Sequence, residues 1–229
     1  MRDAAPSEIT CRTAFTVYDG RGHVLGASML SDIDARLRAA WPEDADAPCA
    51  VKRAKFLHKT CCDGDITVRR GGSMGGVPDG AACSVAGQYG AVPVVAWFVP
   101  DACAPVTKRA DTAHDIAAIE PAGEFAGRCH IASERFADFL LLIVDANKHV
   151  QLATPPLRGR KWISELVSIE RFAMHPSLCP VDSALEIEHL ANRTAGDRIF
   201  TLNRLRFSDG SGGAHSLDMG FSFYPEQTA

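Results

Sequence analysis

Nowhere in the 229 residues does an apolar run approach the roughly 20 residues that a membrane-spanning helix needs, so the expectation is a chain with no membrane span. The opening stretch from Met1 to Glu8 has no apolar core of the kind that marks a secretory leader, and an intracellular protein of cytoplasm or nucleus is expected. No glycine cluster ends in Gly-Lys-Ser/Thr or forms Gly-x-Gly-x-x-Gly, which removes the phosphate-loop and dinucleotide fingerprints. Positive charge is in deficit: 24 Lys and Arg against 28 Asp and Glu leave a formal charge of −4 and a pI near 6.0. Nucleic acid is therefore not the expected partner, because a binder driven by phosphate electrostatics is clearly basic. Cys-x-x-Cys pairs are also missing, although the chain has eight cysteines. Without a secretory route these read as buried free thiols that act as small hydrophobes.

What is present is ordinary globular material, 46% hydrophobic and 23% charged, long enough for one large domain or two lobes. Period two dominates. Ile9, Cys11, Thr13, Phe15 and Val17 alternate with polar or small neighbours; Leu185, Ile187 and His189 alternate with Glu186 and Glu188; and Leu217, Met219, Phe221 and Phe223 give the cleanest stripe. Val92–Val99 reads as a buried strand, with Pro93 at its start or at a sheet edge. Ser208–Gly213 reads as the turn of a hairpin between 199–207 and the last strand, and the register of 199–207 stays ambiguous because Phe200 and Leu202 oppose Ile199 and Leu205. Helices are expected to be few: one N-capped by Ser31 with Ile33, Leu37 and Trp41 inward, one over 111–120, and a turn or two over 133–140. Residues 162–172 fit both periods. Stretches 71–91 and 100–112 read as long loops.

Two segments lie over one another without a gap. Phe15–Ser28 and Leu141–Thr154 match at Asp19 with Asp145, His23 with His149, Val24 with Val150 and Ala27 with Ala153. Each reads as strand, polar turn and return strand. The reading is a mainly β protein, sandwich-like or built of two β-rich lobes, with a few short peripheral helices; α+β is the alternative. The halves are 1–110 and 115–229, with one continuous domain left open.

Few residues group in a chemically suggestive way. Gly71–Gly76 fits Gly-x-Ser-x-Gly and resembles the nucleophile elbow of α/β-hydrolases, which implies Ser73 as nucleophile with Asp101 and His215 as partners. Its context is poor, since Ile66–Arg70 is amphipathic and Pro78 obstructs the helix that should follow. Cys49, His58 and Cys61 are soft ligands that could hold a structural zinc ion. Arg158, Arg160 and Lys161, next to Trp162, could meet phosphate and a stacked base, although a solvated face explains them as well. With no enzymatic motif in good context, many thiols and long loops, the expectation is a non-enzymatic structural or interaction protein. It would lie inside a larger assembly, of the viral capsid-associated or tegument kind, with other protein subunits as partners and no cofactor.

Overall fold

Alternating side chains do build sheets here, and one long segment escapes the pattern. A computed structural model describes residues 7–13, 26–44, 46–58, 60, 62–71, 77–101 and 116–226. The chain is mainly β and divides into two units, Met1–Thr112 with Ala173–His175, and Ala113–Phe172 with Pro176–Ala229.

The first unit contains β1 (Glu8–Thr13), α1 (Gly26–Ala40), β2 (Cys49–Phe56), β3 (Gly64–Arg70), β4 (Cys83–Tyr89) and β5 (Val92–Pro100). Its strands lie in the order β1-β3-β5-β4-β2, every described neighbour antiparallel. β5 thus sits between β3 and β4, and Pro93 is tolerated because it is the second residue of its strand. Part of the segment expected to be loop, 71–91, is strand β4, with Cys83 and Val85 buried; 72–76 lie outside the described residues. In α1 the buried residues Leu30, Ile33 and Leu37 recur every third or fourth position, and Trp41 follows in register. Ser31 lies inside this helix rather than at its start, because the inward stripe begins earlier, at Ala27. Asp34 shares the buried face and is held by Arg38, whose Nε and Nη2 donate to its two oxygens at 3.0 and 3.1 Å. The same guanidinium donates to the carbonyls of Ala47 (3.3 Å) and Met174 (3.1 Å). Burial raises the Asp34 pKa even against this partner.

The register of β2 on β4 shifts between Val51 and Arg53, leaving Lys52 as the extra residue of a bulge. Gly87 faces that irregularity so closely that a Cβ there would lie 2.2 Å from the Ala50 carbonyl oxygen. Gly87→Ala is therefore expected to cost about 1–3 kcal/mol of stability, by strand displacement, in urea unfolding.

The second unit contains β6 (Ala117–Pro121), β7 (Gly127–Ser133), α2 (Phe136–Ala153), β8 (Trp162–Met174) up to Phe172, β9 (Val181–Ala195), β10 (Arg198–Ser208) and β11 (Ala214–Pro225). The order is β8-β11-β10-β9-β7-β6, antiparallel throughout. The expected helix over 111–120 is corrected here: 117–121 is β6, and 111–115 lie outside the described residues. The ambiguous 162–172 is strand β8.

The matched hairpins are the larger correction. Leu141–Thr154 is not a hairpin but the body and end of α2, while 15–25 lie outside the described residues and Gly26–Ser28 open α1. Phe139, Leu140, Ile143, Ala146 and Val150 are buried at helical spacing, and that stripe overrides the strand propensity of Ile143 and Val144. The two units still share a helix followed by four strands, with one strand before the helix in the first unit and two in the second. They differ in the middle of the sheet, where β5 and β4 are interchanged relative to β10 and β11. Among the described residues no helix is long and apolar enough to cross a membrane.

Candidate active site

Helix α2 begins at Arg135, whose backbone is extended, and carries Asp138 in its first turn, where a carboxylate favours the helix dipole. It is closed by Thr154, whose amide and hydroxyl both donate to the Gln151 carbonyl, at 3.0 and 2.6 Å. Phe139 packs on Phe207 of β10 with ring centroids 5.0 Å apart, and Phe136 stacks on Phe172 of β8 at 6.4 Å. One face is therefore pinned to the sheet. The opposite edge offers Asp145, Lys148 and His149, which helix geometry gathers at i, i+3 and i+4.

Lys148 Nζ donates to Asp145 Oδ1 at 2.5 Å, with both side chains half-buried. His149 is exposed on this edge. Its pKa lies below the ordinary imidazole value, chiefly because neighbouring groups withdraw water from it and secondly because Lys148 is positive; Asp145 works in the opposite direction. At neutral pH the ring is thus uncharged and can accept a proton beside a carboxylate.

Beneath this edge a polar chain runs through the core. Asn147 and Gln151, both 0% exposed, point the other way from Asp145 and His149. Gln151 Nε2 donates to Asn147 Oδ1 (3.1 Å), and Thr201 of β10 donates its hydroxyl to Gln151 Oε1 (2.7 Å). Asn203 Nδ2 donates both to Asn147 Oδ1 (3.1 Å) and to the carbonyl of Phe125 (2.9 Å), a residue held in the left-handed region at φ 54°. With its amide hydrogens so used, Asn203 offers its oxygen to His189 Nδ1 at 3.1 Å, which assigns the hydrogen to that nitrogen. The register of β10 on β9 shifts between Leu202 and Asn203, at the level of this network.

The residues singled out from sequence are dispersed. Ser73 and Cys61 lie outside the described residues. Asp101 follows β5 and receives the Arg12 guanidinium on both oxygens. His215 stands on β11, its Nε2 2.7 Å from Asp209 Oδ2 and its ring stacked on Phe207. Asp209 also accepts from the Ser211 amide and hydroxyl and the Gly213 amide, which hold its carboxyl well below the usual range and organise the β10–β11 turn. Cys49 is buried in β2 with its thiol pushed up to about 12, by burial first and then by the charge of Asp34. His58 is exposed past the end of β2, and among the described residues no three His, Cys, Asp or Glu side chains gather as a metal site. Asp145 and His149 were visible only as members of the supposed hairpin. Their spacing of four within an apolar stripe was the signal for a shared helical edge.

No family model and no curated protein matches the sequence. Solved structures do match its fold. The dehydratase domain from the CurJ module of curacin polyketide synthase aligns with a TM-score of 0.54 at 12% identity, over 99% of this chain and 95% of that one. The dehydratase domain of the polyketide synthase PpsC from Mycobacterium tuberculosis gives 0.52 at 11%, over 96% and 93%. An inactive histidine-to-phenylalanine mutant of the CurJ dehydratase gives 0.55 at 10%, over 99% and 94%. At such identities the likeness is one of fold, the hotdog fold of a helix laid on an antiparallel sheet. It overturns the expectation of a non-enzymatic structural or virion component, since this chain spans nearly all of several enzyme domains. Of the two long loops that supported that expectation, 71–91 is partly β4, and 102–112 lie outside the described residues; the described thiols are mostly buried, as expected.

Proposed function

We propose that this chain is an enzyme that removes water from a hydroxyacyl thioester, or adds it back, with α2 supplying the proton-handling pair. In the elimination the proton on the carbon between the carbonyl and the hydroxyl-bearing carbon is abstracted. The C–O bond one carbon further breaks, a conjugated double bond forms, and hydroxide departs with a proton as water. His149, neutral at working pH, is the base for the first proton. Asp145, one turn away, stabilises the imidazolium as it forms and passes the proton on to the departing hydroxyl, so no outside acid is needed.

The observation that carries the reading is the neutral imidazole and carboxylate on one edge of α2, in a fold shared over almost its full length with dehydratase domains. The fold enters as analogy, because one fold hosts many chemistries. The substrate class is supported by the PpsC dehydratase domain, which has been solved in complex with C12:1-CoA, an acyl thioester, and aligns with a TM-score of 0.52 at 11% identity. The test is incubation with a 3-hydroxyacyl N-acetylcysteamine thioester, followed by absorbance of the conjugated enoyl thioester and by mass spectrometry. Enoyl product, and water addition when the enoyl ester is supplied, is the expected result. Release of free thiol without enoyl product would mean hydrolysis and would overturn the reading.

A further inference from the structure

The loop that follows α2 carries three cations that the rest of the unit leaves unneutralised. Arg128, Arg171, Arg198, Arg204 and Arg206 each pair with a carboxylate, and even the groove of about 430 Å³ on the outer face of β6, β7, β9 and β10 balances Arg128 and Arg206 against Glu120 and Glu188. Arg158, Arg160 and Lys161 are exposed, and among the described residues no carboxylate pairs with them.

The loop is also held in place. The Thr154 carbonyl accepts from the amides of Leu157 (3.1 Å) and Arg158 (2.8 Å), and the Leu157 side chain is buried. Gly159 turns the chain at φ 82°, where a side chain would be strained. Trp162 donates its indole N–H to the Leu157 carbonyl at 2.9 Å, and the Glu226 amide donates to the Lys161 carbonyl at 3.0 Å. The indole is thus a fastening for the loop, and what the loop presents is three cations on an ordered backbone. The backbone is already ordered, so binding of an anion is opposed by the ordering of the three side chains alone.

Its place along the fold suggests which anion. Thr154 is five residues beyond His149, about 8 Å along the helix axis at 1.5 Å per residue, and the cations follow directly. A thioester reacting at Asp145 and His149 therefore has a cationic loop beyond the helix end. We propose that Arg158, Arg160 and Lys161 bind the phosphate at the non-reacting end of the acyl thioester, that of coenzyme A or of a phosphopantetheine arm. This rests on the proposed elimination for the reacting end alone.

The experiment is calorimetric titration of the protein, at low salt, with 3′,5′-adenosine bisphosphate and with 4′-phosphopantetheine. Binding of at least one is expected, weakening with added salt as charge pairs are screened. It should be tenfold or more weaker in the triple variant Arg158→Ala, Arg160→Ala, Lys161→Ala, with Arg160→Gln intermediate and both variants melting as the parent does. Binding of the bisphosphate assigns the nucleotide end of coenzyme A; binding of phosphopantetheine alone assigns the arm. In turnover the triple variant should raise KM for the CoA ester, keep kcat, and leave the phosphate-free N-acetylcysteamine ester unchanged. If the parent binds neither ligand, or the triple variant binds as the parent does, the proposal is overturned. The titrations need no catalysis, so they stand or fall separately from the elimination reaction.

Discussion

His149→Phe is expected to lower the rate of enoyl thioester formation by about 10²–10⁴-fold, the usual contribution of a positioned general base. The substitution should leave folding intact, since the ring is exposed on the helix edge and the stripe that anchors α2 lies opposite. Asp145→Asn should fall in the same range and add little when combined with His149→Phe, because the two act on one proton. The pH dependence has a definite sign. The folded-state pKa of His149 lies below 6.5, so the acid limb of kcat/KM should lie below pH 6.5, with activity held through neutrality. The same shift means that the unfolded chain binds more protons in that window, so this group makes stability rise as pH climbs towards 6.5. In His149→Phe that contribution to the pH dependence of urea unfolding should disappear. Equal turnover by parent and variant across pH 5–8 would remove His149 from the reaction.

Asn203→Leu is expected to cost about 3–5 kcal/mol, several times the effect of an ordinary surface change. The side chain is fully buried, and its loss takes both hydrogen bonds to the Phe125 carbonyl and Asn147 together with the acceptor for His189. Leucine cannot satisfy any of these groups, each costing about 1–3 kcal/mol when left buried and unpaired. Asn203→Asp restores the acceptor but not the two donors, so it should recover only part of the loss. Urea midpoints of the three proteins give the ranking, and a leucine variant as stable as the parent would show that the network contributes nothing net.

That same network explains where sequence reading succeeded and where it failed. The stripe of Leu217, Met219, Phe221 and Phe223 is apolar on its inward face and was legible as a strand at once. β10 was ambiguous because its inward row runs Ile199, Thr201, Asn203, Leu205, Phe207, so the core-facing side is interrupted by the two residues that answer Gln151 and Asn147. A pattern read by hydrophobicity cannot show that a buried amide is matched by another from a distant helix. Helix α2 was lost for a related reason. Asp145, Ala146 and Asn147 look like a turn between two apolar arms, yet each faces a different side of a cylinder: Asp145 the solvent edge, Ala146 the packed core, Asn147 the polar chain. The candidate site went unread with it, because Asp145 and His149 fall on one edge only if the backbone winds.

The cysteines, so numerous for a chain with no disulfide signature, bear on a chemistry that sulfur itself could derail. Cys49 and Cys83 are pushed up to about 12, and Cys129 and Cys179 to about 11, in each case first by burial. At pH 8 fewer than about one in a hundred of such groups is thiolate, the only form that attacks a carbonyl. If the chain handles activated acyl groups as proposed, these four thiols, held in the protonated form, leave its substrate intact.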